Sequence, residues 1–387
     1  MPPTRTPKRP ADAHVVFLVN FLSPNLVSVL DEVKRAVGQL HVLVSVPIEA
    51  NRQWPVEHGE LPVVVQRTWT TQRTTRHPGG YSDEQFIHFP WDTPFQLNRL
   101  RPHCVVSLEM GTRSVLANCY RQWRRRTARH VLSVYGSERS EAGRGRLRRW
   151  LRRRLLARAD VITFNGPSCQ RYLLAQGADP CKMLPWNYAA DPAKIYRGPL
   201  ESFSIQPLRL LTVGQLISRK GILPAADQLN RWAKQHPHQS VEWTLAGTGP
   251  LAHAIETMAF VANLKVRLLG HCEAHQLPSL YRDYPIHFFP TLGDEWGLVV
   301  DEALASGQLV LGSLYSQAVE TLVHAGTNGW HFDPARPGSL AEALDQIVAV
   351  GADELRTMRA AARSSVADRT PQHSAKQFVA AVKLALA

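Results

Sequence analysis

The sequence has no apolar run of the roughly 18–20 residues that a bilayer-spanning helix needs. The stretch from Val15 to Leu30 comes closest, but Asn20, Ser23, Pro24 and Asn25 interrupt it. Arg5, Lys8 and Arg9 in front give it the look of a secretory leader. No small-residue cleavage site follows, and the segment runs into Asp31, Glu32, Lys34 and Arg35, so no leader is expected. Cysteine is scarce. The five present (Cys104, Cys119, Cys169, Cys181, Cys272) are odd in number and widely spaced, which excludes a disulfide framework or a zinc site and points to a reducing cytoplasm. The 387 residues carry 44% hydrophobic and 20% charged side chains, so collagen-like and wholly disordered chains are excluded as well.

Acid is scarce in one half only. The net charge is +13, but residues 1–200 hold 30 Lys and Arg against 15 Asp and Glu, while the remainder holds 15 against 17. Such an imbalance speaks about partners rather than fold.

A polar, Pro-rich tail over residues 1–13 reads as disordered. From His14 onward, short β-branched runs alternate with helical patterns. Strands are expected at 15–20, 41–46, 63–65, 104–108, 130–134 and 160–165, with helices over Leu26–Val37 and Leu147–Ala159. A Pro/Gly/Ser break covers 192–207, and the rhythm restarts at 208–214, 241–247, 266–270, 286–290, 309–313 and 329–332. Runs that are apolar throughout, without alternation, predict parallel strands covered on both faces. The expectation is α/β: two Rossmann-like, doubly wound parallel-sheet domains facing a cleft, with ligands at the carboxyl ends of the strands. The boundaries expected are 14–200 and 201–370, with a closing helix over 371–387 that returns to the first domain. Residues Arg67–Pro90 read as a long irregular loop, and loops of that length are commonly functional.

Three strand-to-helix turns in the second half carry chemistry. At Val213–Gly221, Gly214 ends a strand and Arg219 and Lys220 follow, placed to face an anion; a solvated helix start would look the same. At Leu245–Leu251, Gly247, Thr248 and Gly249 allow a close backbone approach, and Pro250 suits a first helical turn. At Pro290–Gly307, Asp294 and Glu295 precede a helix starting near Gly297. The amides of Gly297, Leu298 and Val299 would point out of its amino end, a ready anion site. Glu302 in its second turn only accepts hydrogen bonds, as recognition of a ribose diol requires. Acids near a helix start also favour the macrodipole without any ligand.

Together these turns resemble the nucleotide-sugar domain of retaining glycosyltransferases of family 4, whose fold is GT-B. That family's signature, E-x-F-G-[LIV]-x-x-x-E-A-x-A-x-G, reads here from Asp294 to Gly307, with Asp294 for the first Glu and Trp296 for the Phe. The family's VGRL…KG becomes Val213-Gly214-Gln215-Leu216 with Lys220, so Gln215 stands where an arginine is usual. Glu320 and Asn328-Gly329 match the stretch after the sugar site, without the usual glycine pair before the Glu. The resemblance implies that Lys220 neutralises a diphosphate which Gly297–Val299 bind through amides, that Glu302 holds the ribose, and that Asp294 contacts the transferred sugar. It assigns Asp294, Lys220 and Glu302 to catalysis. It assigns Gly214, Gln215, Arg219, Gly247, Thr248, Glu295, Trp296, Gly297, Leu298 and Val299, with Lys220 and Glu302, to the donor.

The first half is less specific. Arg121–Arg158 holds 14 Arg against Glu138 and Glu141. Within it, Leu147, Trp150, Leu151, Leu155 and Leu156 lie near one helical stripe. A basic amphipathic helix fits an anionic membrane surface, and it equally fits a core-packed helix with a solvated basic face. Nucleic acid ranks last, since no nucleic-acid motif accompanies the charge. Asn20, Glu109 and Glu138, each after a strand, are the candidate acceptor-side residues, whereas His88, His103 and His130 read as structural or surface histidines. The expectation is therefore a metal-independent, cofactor-free retaining hexosyltransferase. It would use a nucleoside-diphosphate sugar and a glycan or lipid-linked acceptor, in cell-surface polysaccharide or glycolipid synthesis, and be cytoplasmic and peripheral on the inner membrane face. The alternatives are an impaired nucleotide-binding scaffold of the same fold and a sugar-nucleotide epimerase.

Overall fold

The computed structural model describes residues 7, 9–52, 57–124, 128–143, 145–201 and 203–387. Within them the chain forms two compact units. One holds Met1–Thr75, Glu84–Ala189 and Thr370–Ala387; the other holds Arg76–Asp83 and Ala190–Arg369.

The first unit is built on β1 (His14–Val19), α1 (Pro24–Ala36), β2 (Gln39–Val44), β3 (Val63–Val65), β4 (Thr68–Arg76), β5 (Ser82–Pro90), α2 (Thr93–Leu100), β6 (Cys104–Leu108), α3 (Thr112–Trp123), β7 (Arg129–Val134), α4 (Arg146–Arg158), β8 (Val161–Phe164), α5 (Pro167–Ala175) and β9 (Met183–Pro185). Its main sheet runs β3-β2-β1-β6-β7-β8-β9 with every pairing parallel. Phe17 of β1 stands between Val42 and Val106. The strands are apolar on both faces because helices cover both: Val15, Phe17 and Val19 point into one cluster and Val16 and Leu18 into another. The strand order reverses between β1 and β6, which places a crevice at their carboxyl ends.

The second unit follows with β10 (Leu208–Val213), α6 (Ile222–Gln235), β11 (Val241–Ala246), α7 (Ala252–Glu256), β12 (Leu264–Gly270), α8 (Leu277–Asp283), β13 (Ile286–Phe289), α9 (Leu298–Ala305), β14 (Leu309–Ser313), α10 (Gln317–Leu322), β15 (Gly329–Phe332), α11 (Ser339–Val348) and α12 (Ala352–Ser365). Its sheet, again parallel, runs β12-β11-β10-β13-β14-β15, and the order reverses between β10 and β13. The last helix, α13 (Pro371–Leu386), is part of the first unit. Phe378 of α13 meets Phe17 and Trp186, whose indole N–H donates to Ser374 Oγ at 3.0 Å.

Three expectations need correction. Residues 67–90 are not irregular: β4 and β5 form their own two-stranded sheet, turned at His77–Tyr81 by a hydrogen bond from the His77 amide to the Tyr81 carbonyl. Its first strand, TWTTQRTTR, is almost wholly exposed, so no apolar alternation marks it in the sequence. The tail is ordered at its end, where Pro10–Asp12 makes a turn of 3-10 helix, Arg9 pairs with Asp12 and Ala13 is buried. Residues 1–6 and 8 of that tail lie outside the described residues. The second unit begins at Ala190, ahead of the Pro/Gly/Ser break, because Lys194 already pairs with Glu302 and the Tyr196 amide donates to Ser306 Oγ.

Candidate functional site

The carboxyl ends of β10 and β13, where the order of the second sheet reverses, gather most of the charged residues singled out from the sequence. After β10 the chain passes Gly214 and makes a short 3-10 turn, Ser218–Lys220, before α6. After β13 it continues as Pro290–Trp296 into α9. The two loops are stitched together: the Leu292 amide and the Thr291 hydroxyl both donate to the Arg219 carbonyl. Arg219 Nη1 donates to the Gly293 carbonyl at 2.9 Å.

That stitching brings Lys220 to Asp294. Lys220 Nζ donates to Asp294 Oδ2 at 2.5 Å and lies 4.9 Å from the centre of the Phe289 ring. Arg219 Nη1 stands 3.3 Å from the other Asp294 oxygen. Burial alone would raise the Asp294 pKa. The adjoining ammonium and guanidinium overcome it and hold the carboxyl below its ordinary range. The site therefore contains an ionised carboxylate under two cations, a charge arrangement that an incoming anion can reorganise.

The amino end of α9 sits beside this pair. Gly297 has φ of 106°, and a Cβ there would fall 2.8 Å from the Phe289 ring, so a larger residue would be strained and would clash with the strand that carries the site. The Gly297, Leu298 and Val299 amides open the helix, where donors have no intrahelical partner. The β10 and β11 loops also interlock. The Leu216 amide donates to the Thr248 carbonyl, and a Cβ on Gly247 would fall 1.9 Å from the Gly214 carbonyl oxygen. Gly214 and Gly247 thus fix the backbone, while Thr248 is exposed and Gln215 half-buried.

Glu302, one turn further along α9, is buried. It accepts from the Tyr281 hydroxyl at 2.8 Å and lies 3.6 Å from Lys194 Nζ. Burial raises its pKa, and Lys194 and Tyr281 only partly offset that rise. Glu295 turns its carbonyl to Gln317 Nε2. The Trp296 indole faces inward rather than toward a ligand: it is buried, donates to Asp301 Oδ2 at 2.5 Å, and stacks under Arg369, itself 2.5 Å from Asp301. What Trp296 gives the site is the course of its backbone, held by the Ser316 hydroxyl and the Ala318 amide on its carbonyl. Asn328 is likewise structural, donating to the Leu322 carbonyl and Ser365.

In the first unit, Asn20 follows β1 and Glu109 follows β6, so both stand at the strand-order reversal. Glu109 has φ of 67°, rare for a residue with a side chain, and its Oε1 accepts from the Tyr135 amide at 2.9 Å. Buried Arg113 on α3 feels the charges of Glu109 and Glu49, but burial outweighs both and lowers its pKa to about 10. Glu138 is not part of this group: it forms an exposed ion pair with Arg171 at 3.0 Å. His88 and His130 are buried and hydrogen-bonded, to Glu49 and Thr70 and to Ser107 respectively, and His103 accepts from the His14 amide.

The basic helix α4 divides along its length. Leu155 and Leu156 enter the core, and buried Arg152 pairs with Glu141 and donates to the Tyr172 hydroxyl. Its first half leaves Leu147 72%, Trp150 50% and Leu151 42% exposed, with Arg154 over the Trp150 ring at 4.6 Å. Arg125, Arg126, Thr127 and Arg144 of the basic stretch lie outside the described residues. Among the described residues no helix is long and apolar enough to cross a membrane, and no group of three His, Cys, Asp or Glu is arranged to hold a metal ion.

Sequence reasoning missed four contributors: Tyr281 and Lys194, which hold Glu302, and Tyr81 and Asp83, which lie against the Arg219–Asp294 loops. None carried a local signal, because each reaches its partner only through the tertiary fold.

Residues 207–349 match the family described as glycosyl transferases group 1. Over 141 residues the chain is 26% identical to an uncharacterized glycosyltransferase of Methanocaldococcus jannaschii, covering 36% of this chain and 35% of that protein. Over 237 residues it is 28% identical to the amylovoran biosynthesis glycosyltransferase AmsK of Erwinia amylovora, covering 59% and 57%. The matches thus span from about a third to somewhat over half the length of these curated relatives. Among solved structures, Anabaena HepE in complex with UDP and glucose superposes with a TM-score of 0.68 at 15% identity, over 96% of this chain and 99% of that one. Sucrose-phosphate synthase from Thermosynechococcus elongatus gives 0.64 at 16% identity, over 95% and 97%. The fold is GT-B.

Proposed function

We propose that this chain is a retaining glycosyltransferase of family 4. It moves a hexose from a nucleoside-diphosphate sugar to a glycan or lipid-linked acceptor in polysaccharide or glycolipid synthesis. The observation that carries this reading is the Lys220–Asp294 pair at the strand-order reversal, beside the amino end of α9 and within the family-matched stretch. Anabaena HepE, which shares the fold, was solved with UDP and glucose.

In this reading the diphosphate lies on the α9 amides and draws Lys220 toward itself, while Glu302 accepts from the ribose hydroxyls. Asp294, released from Lys220, faces the sugar. The bond from the anomeric carbon to the diphosphate oxygen breaks with its electron pair going to the diphosphate. The acceptor oxygen bonds the same face of that carbon, and its proton passes to the departing diphosphate. Stabilising that leaving charge supplies most of the acceleration, and Lys220 and the amides do so without a divalent cation. The acceptor occupies the first unit near Asn20 and Glu109. The exposed Leu147, Trp150 and Leu151 among arginines rest on an anionic membrane at the cytoplasmic face, where each cation contributes about 1 kcal/mol.

Incubation with a nucleotide sugar and an acceptor tests this, with the anomeric configuration of donor and product read by NMR. Retained configuration and a rate indifferent to EDTA are expected; inversion, or donor turnover to an epimer with no acceptor present, contradicts it.

A further inference from the structure

The tip of the β4–β5 hairpin, residues 76–83, is part of the second unit, although the strands that lead to and from it belong to the first. It is a built contact. The Ser218 hydroxyl donates to the Ser82 carbonyl at 2.8 Å. Tyr81 is buried, stacks on His77 at 4.6 Å between ring centres, and packs so closely on Gly293 that a Cβ there would lie 2.4 Å from the tyrosine hydroxyl. Gly79 donates its amide to His77 Nδ1, which closes the tip. The tip therefore rests on both loops that hold the candidate site, the one with Arg219 and Lys220 and the one with Asp294.

Asp83 gives this contact an electrostatic role. Its Oδ2 lies 3.7 Å from Arg219 Nε, whereas Gly293 and Asp294 take Nη1. Arg219 Nε is buried with no hydrogen-bond partner, so Asp83 meets it by charge alone. Two cations, Arg219 and Lys220, thus face Asp294 and Asp83, and Glu295 also acts on Arg219 by charge. Without Asp83 the cluster would lose one negative charge, and Arg219 would keep Asp294 as its remaining ion-pair partner. We propose that Asp83 is a positioning residue of the donor site. By holding one side of Arg219 and cancelling one charge, it keeps Asp294 available to the sugar and lets the diphosphate product leave. This rests on the reading of the second unit as a nucleotide-sugar site.

The test titrates UDP, GDP and ADP into the whole chain and into Asp83→Asn, Asp83→Ser and Asp83→Glu, and measures turnover with the donor the wild type uses. Removing the charge should tighten the preferred nucleoside diphosphate by about three- to tenfold and steepen its salt dependence. In both variants kcat should fall about tenfold as product release slows, and Asp83→Glu should restore both quantities. A tip with a merely structural role would loosen the diphosphate when disturbed, so the sign of the change decides. Unchanged or weakened diphosphate binding in both Asp83→Asn and Asp83→Ser overturns the inference while leaving the donor reading intact. A wild type that binds none of the three diphosphates overturns the donor reading and this inference with it.

Discussion

Lys220 and Asp294, 74 positions apart in sequence, meet at 2.5 Å in the second unit, each from a loop that follows a different central strand. The pairing explains how a buried carboxylate stays ionised: the Lys220 ammonium, with Arg219, offsets the cost of burial. Under the proposed function the same lysine would turn to the diphosphate when it binds. Lys220→Ala should therefore lose both functions, leaving Asp294 with Arg219 alone and removing a cation from the leaving group. Turnover should fall by at least about a hundredfold, the scale of losing one preorganised electrostatic contact. A wild-type-like rate in this variant would show that the pair is only structural.

Glu302 offers a separable readout. Glu302→Ala should depress turnover by about a hundredfold, chiefly through weaker nucleotide binding. Because burial raises its pKa, Glu302 takes up its proton at higher pH than an exposed glutamate would. Nucleotide affinity should then weaken on acidification earlier than an ordinary carboxylate predicts, and Glu302→Gln should lack that limb. Calorimetric titration across pH reads both.

The Asp301–Arg369 pair tests the fold beneath the site. Both side chains are buried, and Trp296 bridges them through its indole N–H and its ring face. Arg369→Ala leaves a buried carboxylate uncompensated and should cost about 3–5 kcal/mol. A denaturant midpoint unchanged from wild type would contradict the role assigned to Trp296.

Several histidines make stability depend on pH. Burial, mainly, lowers His14 and His130 to about 4 and His287 to about 3; neighbouring His41 and His103 also act on His14, and Lys220 on His287. The unfolded chain takes up these protons near 6.5, whereas the folded chain resists until 3–4, so folding stability should decline as pH falls through that window. Urea midpoints measured from pH 7.5 to 4 check the decline, and His14→Gln should make it shallower. A midpoint that rises steadily toward pH 4 would contradict it.

The exposed half of α4 predicts sedimentation with anionic vesicles that weakens at high salt. Trp150→Ala with Leu151→Ser should release the protein without disturbing the core, since Leu155 and Leu156 hold the helix from its other half. Equal retention of wild type and double variant would exclude this patch as the contact.

Much of this was legible in the sequence. Short apolar, β-branched runs such as VVFLV and CVVSL read as strands buried on both faces, and the Asp294–Gly307 register places a loop and helix start at the end of β13 without knowledge of the fold. The β4–β5 hairpin was not legible, because Thr, Gln and Arg on both faces of β4 leave no periodic signal, and the residues its tip meets, Ser218 and Gly293, lie far away in sequence. For the same reason Asp83 stayed invisible beside Arg219, 136 residues downstream. Trp296 misled in the opposite sense: it occupies a site position in the pattern, yet its side chain turns inward to Asp301.

Under the proposed function, the Lys220–Asp294 loops and the α9 amides form a nucleotide-sugar site. The most direct measurement is a screen of purified protein against UDP-, GDP- and ADP-sugars, reading release of the nucleoside diphosphate in wild type and Lys220→Ala. Release is expected from one nucleotide class, reduced to near background in Lys220→Ala. Release from none of them together with no binding of any diphosphate, or release undiminished in the variant, would contradict it.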